Sequence, residues 1–157
     1  PRHGSASISL ADEIVGPFQK GRGGPGGWVF IDEPELHLGP HVVVPDIAGW
    51  RRERLQTLPE TAWIETAPDW VCEVISPSTE KADKGPKRQI YAHYQVEHLW
   101  LVDPRLKCLE VFRRQERDWL LTHTFFENGT VSAPPFGQIT FSLDVLWPFD
   151  PPANPAT

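Results

Sequence analysis

The chain has 157 residues, the size of one domain built on a single core. Its hydrophobic share of 39 % and charged share of 23 % are those of a globular protein. No run approaches the roughly 18 apolar residues of a membrane span. The net charge of −6 argues against a broad non-specific nucleic-acid surface, although Arg51, Arg52, Arg54, Lys81, Lys84, Lys87 and Arg88 cluster in two segments that a local basic groove would need.

The opening PRHGSASISL has no apolar stretch behind a basic start and does not read as a signal peptide. In SASISLADEIVGPFQK, residues 5–20, the apolar side chains recur at mixed helical spacing, which predicts a helix bounded near Pro17. His3 precedes it without an assignable role. GRGGPGG is a flexible turn; no Gly-Lys-Ser/Thr follows it, so it is not a phosphate loop. WVFIDEPELHL (28–38) and HVVVPDIAGW (41–50) read as extended runs joined by Gly39-Pro40 into a hairpin, the second interrupted at Pro45. Residues 51–67 are irregular or briefly helical. APDWVCEVIS supplies a third strand, and Ser76-Pro77-Ser78-Thr79 a turn with hydroxyls suited to cap a helix.

That helix is expected from Pro86 onward, with Ile90, Tyr91, Tyr94 and Val96 on its buried side; proline is tolerated in a first turn, where the N–H has no partner. Two strands around Asp103-Pro104 follow, then DWLLTHTFF, which Asn128-Gly129 should fold back as a hairpin, and QITFSLDVLW. The fold class is α+β, a mixed sheet flanked by two helices, as one domain over residues 1–148 with a disordered proline-rich tail at 149–157. Cys72 and Cys108 sit in strand-like runs and are expected to be free, buried thiols, which points to the cytoplasm. Neither they nor the six histidines show zinc spacing.

The chemistry centres on APDWVCEVISPS, residues 67–78. Alternation in a strand puts Asp69, Val71 and Glu73 on one face and Trp70, Cys72 and Val74 on the other. A mid-strand carboxylate such as Glu73 is costly to bury unless it is paired or binds a metal. Asp69 is four residues away, roughly 13 Å by strand rise, too far to share an ion with Glu73. Asp46, on a neighbouring strand, is the better partner. Two hard carboxylates with water suit Mg²⁺ or Mn²⁺. A salt-bridged structural Glu73 is the competing reading.

PDIAGW, then APDWVCEVISPSTEKADKGPKRQIYAHYQVEHLWLVDP, then LEVFRR together resemble the Uma-type family of restriction endonucleases, within the PD-(D/E)xK nuclease-like superfamily. The resemblance covers residues 28–114 and, more weakly, the flanking segments. It implies a restriction-endonuclease-like core, with Asp46 and Glu73 as catalytic metal ligands and DNA as substrate. The superfamily's usual lysine is absent, because Ile75 stands two residues after Glu73. The resemblance places the lysine on the following helix, at Lys87, with Lys84 the fallback. Asp83, one turn before, is an expected partner for Lys87. Glu35, on the strand expected beside Asp46, is a candidate third acid ligand; an edge-strand solubilising charge is the alternative. A nuclease-fold module that binds nucleic acid or a protein without cutting is the second functional reading. A homodimer is expected if both strands of a duplex are cut.

Overall fold

The computed structural model describes residues 1–76 and 85–151; the expectations for Pro77–Thr79, Asp83, Lys84 and the end of the tail fall outside them. Helix α1 (Arg2–Gln19) precedes strands β1 (Trp28–Asp32), β2 (Leu36–Leu38), β3 (His41–Val43), β4 (Ile47–Arg51) and β5 (Trp70–Val74). Helix α2 (Pro86–His93) then leads to β6 (His98–Asp103), β7 (Cys108–Gln115), β8 (Asp118–Phe126), β9 (Thr130–Val131) and β10 (Phe141–Ser142). Among the described residues, six strands form one mixed sheet in the order β1-β4-β5-β6-β7-β8. Within this sheet, among the described residues, only the β5–β6 pair is parallel, with Glu73 level with Leu101. A parallel pair needs a crossover, and α2 lies in it.

The alternation of β5 and β6 divides the core. Trp70, Cys72, Val74, Trp100 and Val102 pack on one face with Ala6, Leu10, Ile14 and Phe18 of α1. Val71, Leu99 and Leu101 pack on the other with Tyr91 of α2. The expected α+β architecture, a mixed sheet flanked by two helices, is present, and the structure puts one helix on each face. Cys72 and Cys108 are both buried.

Three local expectations are corrected. Helix α1 begins at Arg2 and contains Pro17, because Phe18 is anchored in the core and keeps the last turn in place. The missing proline donor loosens that turn: Lys20 N–H reaches Val15 O at 3.2 Å, one residue further back than an α-helix requires. WVFIDEPELHL is two strands, broken at Glu33, whose φ of 47° redirects the chain before Pro34. Gly39-Pro40 does join a hairpin, β2–β3, but this hairpin stands apart from the main sheet while β1 pairs with β4. Asn128-Gly129 forms a turn, Gly129 N–H donating to Phe126 O at 2.9 Å, yet no β8–β9 hairpin results. Instead β9 pairs with β10, which carries Val131 and Phe141 into the α1-side core.

Gly49 is required where it stands. A Cβ there would lie 2.8 Å from the Phe30 ring, which crosses β4 from β1.

Candidate active site

β4 and β5 run antiparallel, with Ile47 opposite Cys72. One step beyond that pair, Asp46 comes level with Glu73. The Asp46 carboxylate is held at two points: Val74 N–H donates to Oδ2 at 2.6 Å, and His3 Nε2 lies 2.9 Å from Oδ1. The chain thus uses the first turn of α1 and the backbone of β5 to set the orientation of one acid.

Glu73 is only 2 % exposed, so its charge must be met locally. Lys87 Nζ donates to both carboxylate oxygens, at 3.1 and 3.3 Å, and to Val44 O at 3.0 Å. Tyr91 OH donates to Oε1 at 2.7 Å. Lys87 and Tyr91 are four residues apart on α2, so both face the sheet from one side of the helix. The Val44 contact ties α2 to the segment that leads into Asp46. An ammonium from the helix therefore reaches the acid that Ile75 leaves without a lysine on its own strand.

Glu35 does not join this group. The break at Glu33 sends it into the β2–β3 hairpin, where its Oε2 lies 2.9 Å from His37 Nε2. The strand beside Asp46 is β1, with Asp32 opposite Ile47 and Glu33 N–H donating to Asp46 O at 2.9 Å. The acids next to Asp46 along the chain ladder are thus Asp32 and Glu33. Among the described residues, no three His, Cys, Asp or Glu side chains are grouped to hold a metal ion. Asp46 and Glu73 each carry hard carboxylate oxygens, the ligand type that suits Mg²⁺ or Mn²⁺; Asp46 is met from α1 by His3 and Glu73 from α2 by Lys87 and Tyr91.

Asp69, at the other end of β5, accepts from Arg51 N–H at 2.8 Å and pairs with Arg54 at 3.0 Å. The arginines expected to form a basic groove are used for local structure. Arg52 donates to Gln19 O and Trp28 O, Arg54 to Ala67 O, and the Arg51 guanidinium lies 4.7 Å from the Trp28 ring centre. They also stand at the far end of β4 from Asp46, roughly 16 Å away by strand rise, so they cannot touch a phosphate held at Asp46.

His3 is the contact that sequence reasoning missed. The buried stripe Ala6, Leu10, Ile14, Phe18 has a spacing of four, and extending it one step back brings residues 2 and 3 to the sheet side. Gly4 hid that signal, since glycine is a poor helix former.

The mixed sheet and its crossover helix form an α+β domain in which a lysine meets a buried acid. Residues 1–146 match the family described as "Uma2: Putative restriction endonuclease", and the chain belongs to that family. Among similar solved structures is a "putative nuclease belonging to DUF820" from Anabaena variabilis ATCC 29413. It is 22 % identical, with a TM-score of 0.72 over 94 % of this chain and 80 % of that one, and it supports the fold. No curated protein matches the chain. Among the described residues, no helix is long and apolar enough to cross a membrane.

Proposed function

We propose that the chain is a metal-dependent endonuclease that hydrolyses phosphodiester bonds in DNA. The observation that carries this reading is the Lys87 ammonium on the buried Glu73 carboxylate. It restores, from a helix, the acid–acid–ammonium set that Ile75 interrupts on the strand. Family membership supports a nuclease role with a nucleic-acid substrate.

In this reading Asp46 and Glu73 hold Mg²⁺ or Mn²⁺. Such an ion, when bound, polarises the phosphodiester and lowers the pKa of an attacking water. Lys87 places positive charge where the phosphoryl oxygens gain negative charge, and Tyr91 and Val44 fix it and Glu73 relative to each other. His3 and the Val74 amide keep the Asp46 carboxylate from rotating away from the ion. The reading extends to a homodimer, with one site for each strand of a duplex, and to a cytoplasmic setting.

A second reading has its own observation. Lys87 is engaged by Glu73 and Val44 together, so the module could hold nucleic acid or a protein without cutting it. One experiment separates the two: plasmid and oligonucleotide DNA incubated with Mg²⁺, Mn²⁺, Ca²⁺ or chelator, beside an Asp46→Ala variant whose fold is checked by circular dichroism. The nuclease reading expects cleavage with Mg²⁺ or Mn²⁺ that vanishes with chelator and in the folded variant. DNA bound but never cut by the wild type supports the module, and equal cleavage by Asp46→Ala removes Asp46 from the chemistry.

A further inference from the structure

A groove of about 470 Å³ lies beside Asp46, between the flank of α1 and the edge strand β1. His3 and Asp46 line it, so whatever occupies it adjoins the proposed reacting phosphate. Its walls include Ile8 and Ala11 from the helix and Phe30 and Ile31 from the strand. Ile8 is 72 % exposed, although the sheet-facing side of the same helix is almost completely buried. Asp32 and Glu33 also line the groove, and neither lysine nor arginine does among the described residues.

This chemistry selects against a phosphate and for a planar, apolar, amino-bearing group. Two carboxylates away from the proposed reacting phosphate, Asp32 and Glu33, repel a phosphodiester but accept hydrogen bonds from exocyclic amines, as carboxylates do from cytosine N4. Apolar and aromatic walls with a few polar groups, at this volume, are what a small-ligand site has. Cytosine and adenine carry such an amine, and thymine does not. We propose that the groove is a nucleobase subsite, taking one amino-bearing base while the adjoining phosphodiester lies at Asp46 and Lys87. The proposal rests on the nuclease reading for its choice of ligand. A base seated there has left its stack, so the strand is single or locally opened at that nucleotide.

Uncharged nucleosides test it without need of cleavage. The full chain, labelled with ¹⁵N, is titrated with deoxycytidine, deoxyadenosine and thymidine and followed by amide chemical shifts. Saturable shifts at Gly4, Ser7 and Ile31 are expected, with deoxycytidine or deoxyadenosine bound about tenfold more tightly than thymidine. Ser7→Trp, which fills the groove, abolishes them, and Glu33→Gln narrows the gap to thymidine. No saturable shift with any nucleoside, shifts centred elsewhere, or equal binding of thymidine overturns the subsite. The wild-type titration decides alone, so a Ser7→Trp chain that fails to fold does not blunt the test. DNA cleavage without nucleoside binding sinks the subsite alone; nucleoside binding in a chain that cuts no DNA sinks the nuclease reading alone.

Discussion

Strand β5 is bordered by one carboxylate and carries another, and the two meet different company. Asp69, just before the strand, takes a guanidinium and a backbone N–H, both from the β4 end that it helps to tie down. Glu73, inside it, takes a primary amine and a phenol from a helix across the sheet face. The Asp69 side chain is 14 % exposed and Glu73 2 %. Burial alone would favour replacing Glu73 by an apolar residue, since a buried ion pair seldom adds net stability. A buried acid kept with a lysine is what the proposed chemistry accounts for and folding alone does not.

The largest expected effect breaks that contrast directly. Glu73→Gln keeps the shape and the acceptor for Tyr91 but removes the charge. Metal-dependent cleavage should fall by at least about a thousandfold. Asp69→Asn should leave cleavage unchanged and cost about 1 kcal/mol of stability, the upper end for a solvent-screened ion pair. Both variants are read by the same nuclease assay and by urea unfolding. Similar losses of cleavage in the two would mean that both acids act through the fold.

Next in size is the amine. Lys87→Met leaves Glu73 buried without its cation, and stability should drop by about 3 kcal/mol, while cleavage falls about a hundredfold. The double change Lys87→Met with Glu73→Gln removes both charges and should recover most of the stability but none of the cleavage. At the other end Arg54, 43 % exposed, offers a pair that water screens. Arg54→Met should cost no more than about 1 kcal/mol. If the double variant stays as unstable as the single one, the charge pair is not what Lys87 contributes.

Much of this difference was legible in the sequence, and what was not has physical causes. The alternation in WVCEV places Glu73 with Val71 because strand periodicity is fixed by covalent geometry. The spacing of Lys87 and Tyr91 follows from the helix that Pro86 opens. The break at Glu33 was not legible, because its left-handed φ depends on tertiary packing; without it Glu35 seemed to neighbour Asp46. The fate of Asn128-Gly129 was hidden for the same reason. A turn signal is local, but which strand the next residues pair with is decided by where Val131 and Phe141 can be buried. Arg51, Arg52 and Arg54 read as a basic cluster because their acceptors, carbonyls of Gln19, Trp28 and Ala67, carry no signature in sequence.

A pH effect should arise at the Asp69 end. His98 N–H donates to Asp69 O at 3.2 Å, and burial, aided by nearby Arg113, pushes the His98 imidazole down to about 4. The folded-state value lies below the unfolded one, so the unfolded chain takes up the proton first as pH falls. Stability from this group is complete above about pH 6.5 and is lost as pH drops towards 4. The loss should be about 2 kcal/mol after allowance for partial exposure. Urea unfolding between pH 7 and 4 should show a shallower decline in His98→Gln than in the wild type. Parallel declines would mean that His98 is not the group being titrated.

The smallest expected effect sharpens the comparison at the Glu73 end. His3 touches no substrate in the proposed reaction and acts by holding Asp46 Oδ1, while the Val74 amide holds Oδ2. A carboxylate fixed at one oxygen can still swing about that bond; one fixed at both cannot. His3→Ala should therefore weaken Mn²⁺ binding, measured by calorimetry, about tenfold, with cleavage falling in proportion. Because His3 sits in the first turn of α1, its loss should change unfolding little. His3→Gln, whose amide can donate to the same oxygen, should recover most of the affinity. If glutamine rescues no better than alanine, the bond to Asp46 is not what His3 supplies; if Mn²⁺ affinity is unchanged in both, the contact at Oδ1 is dispensable.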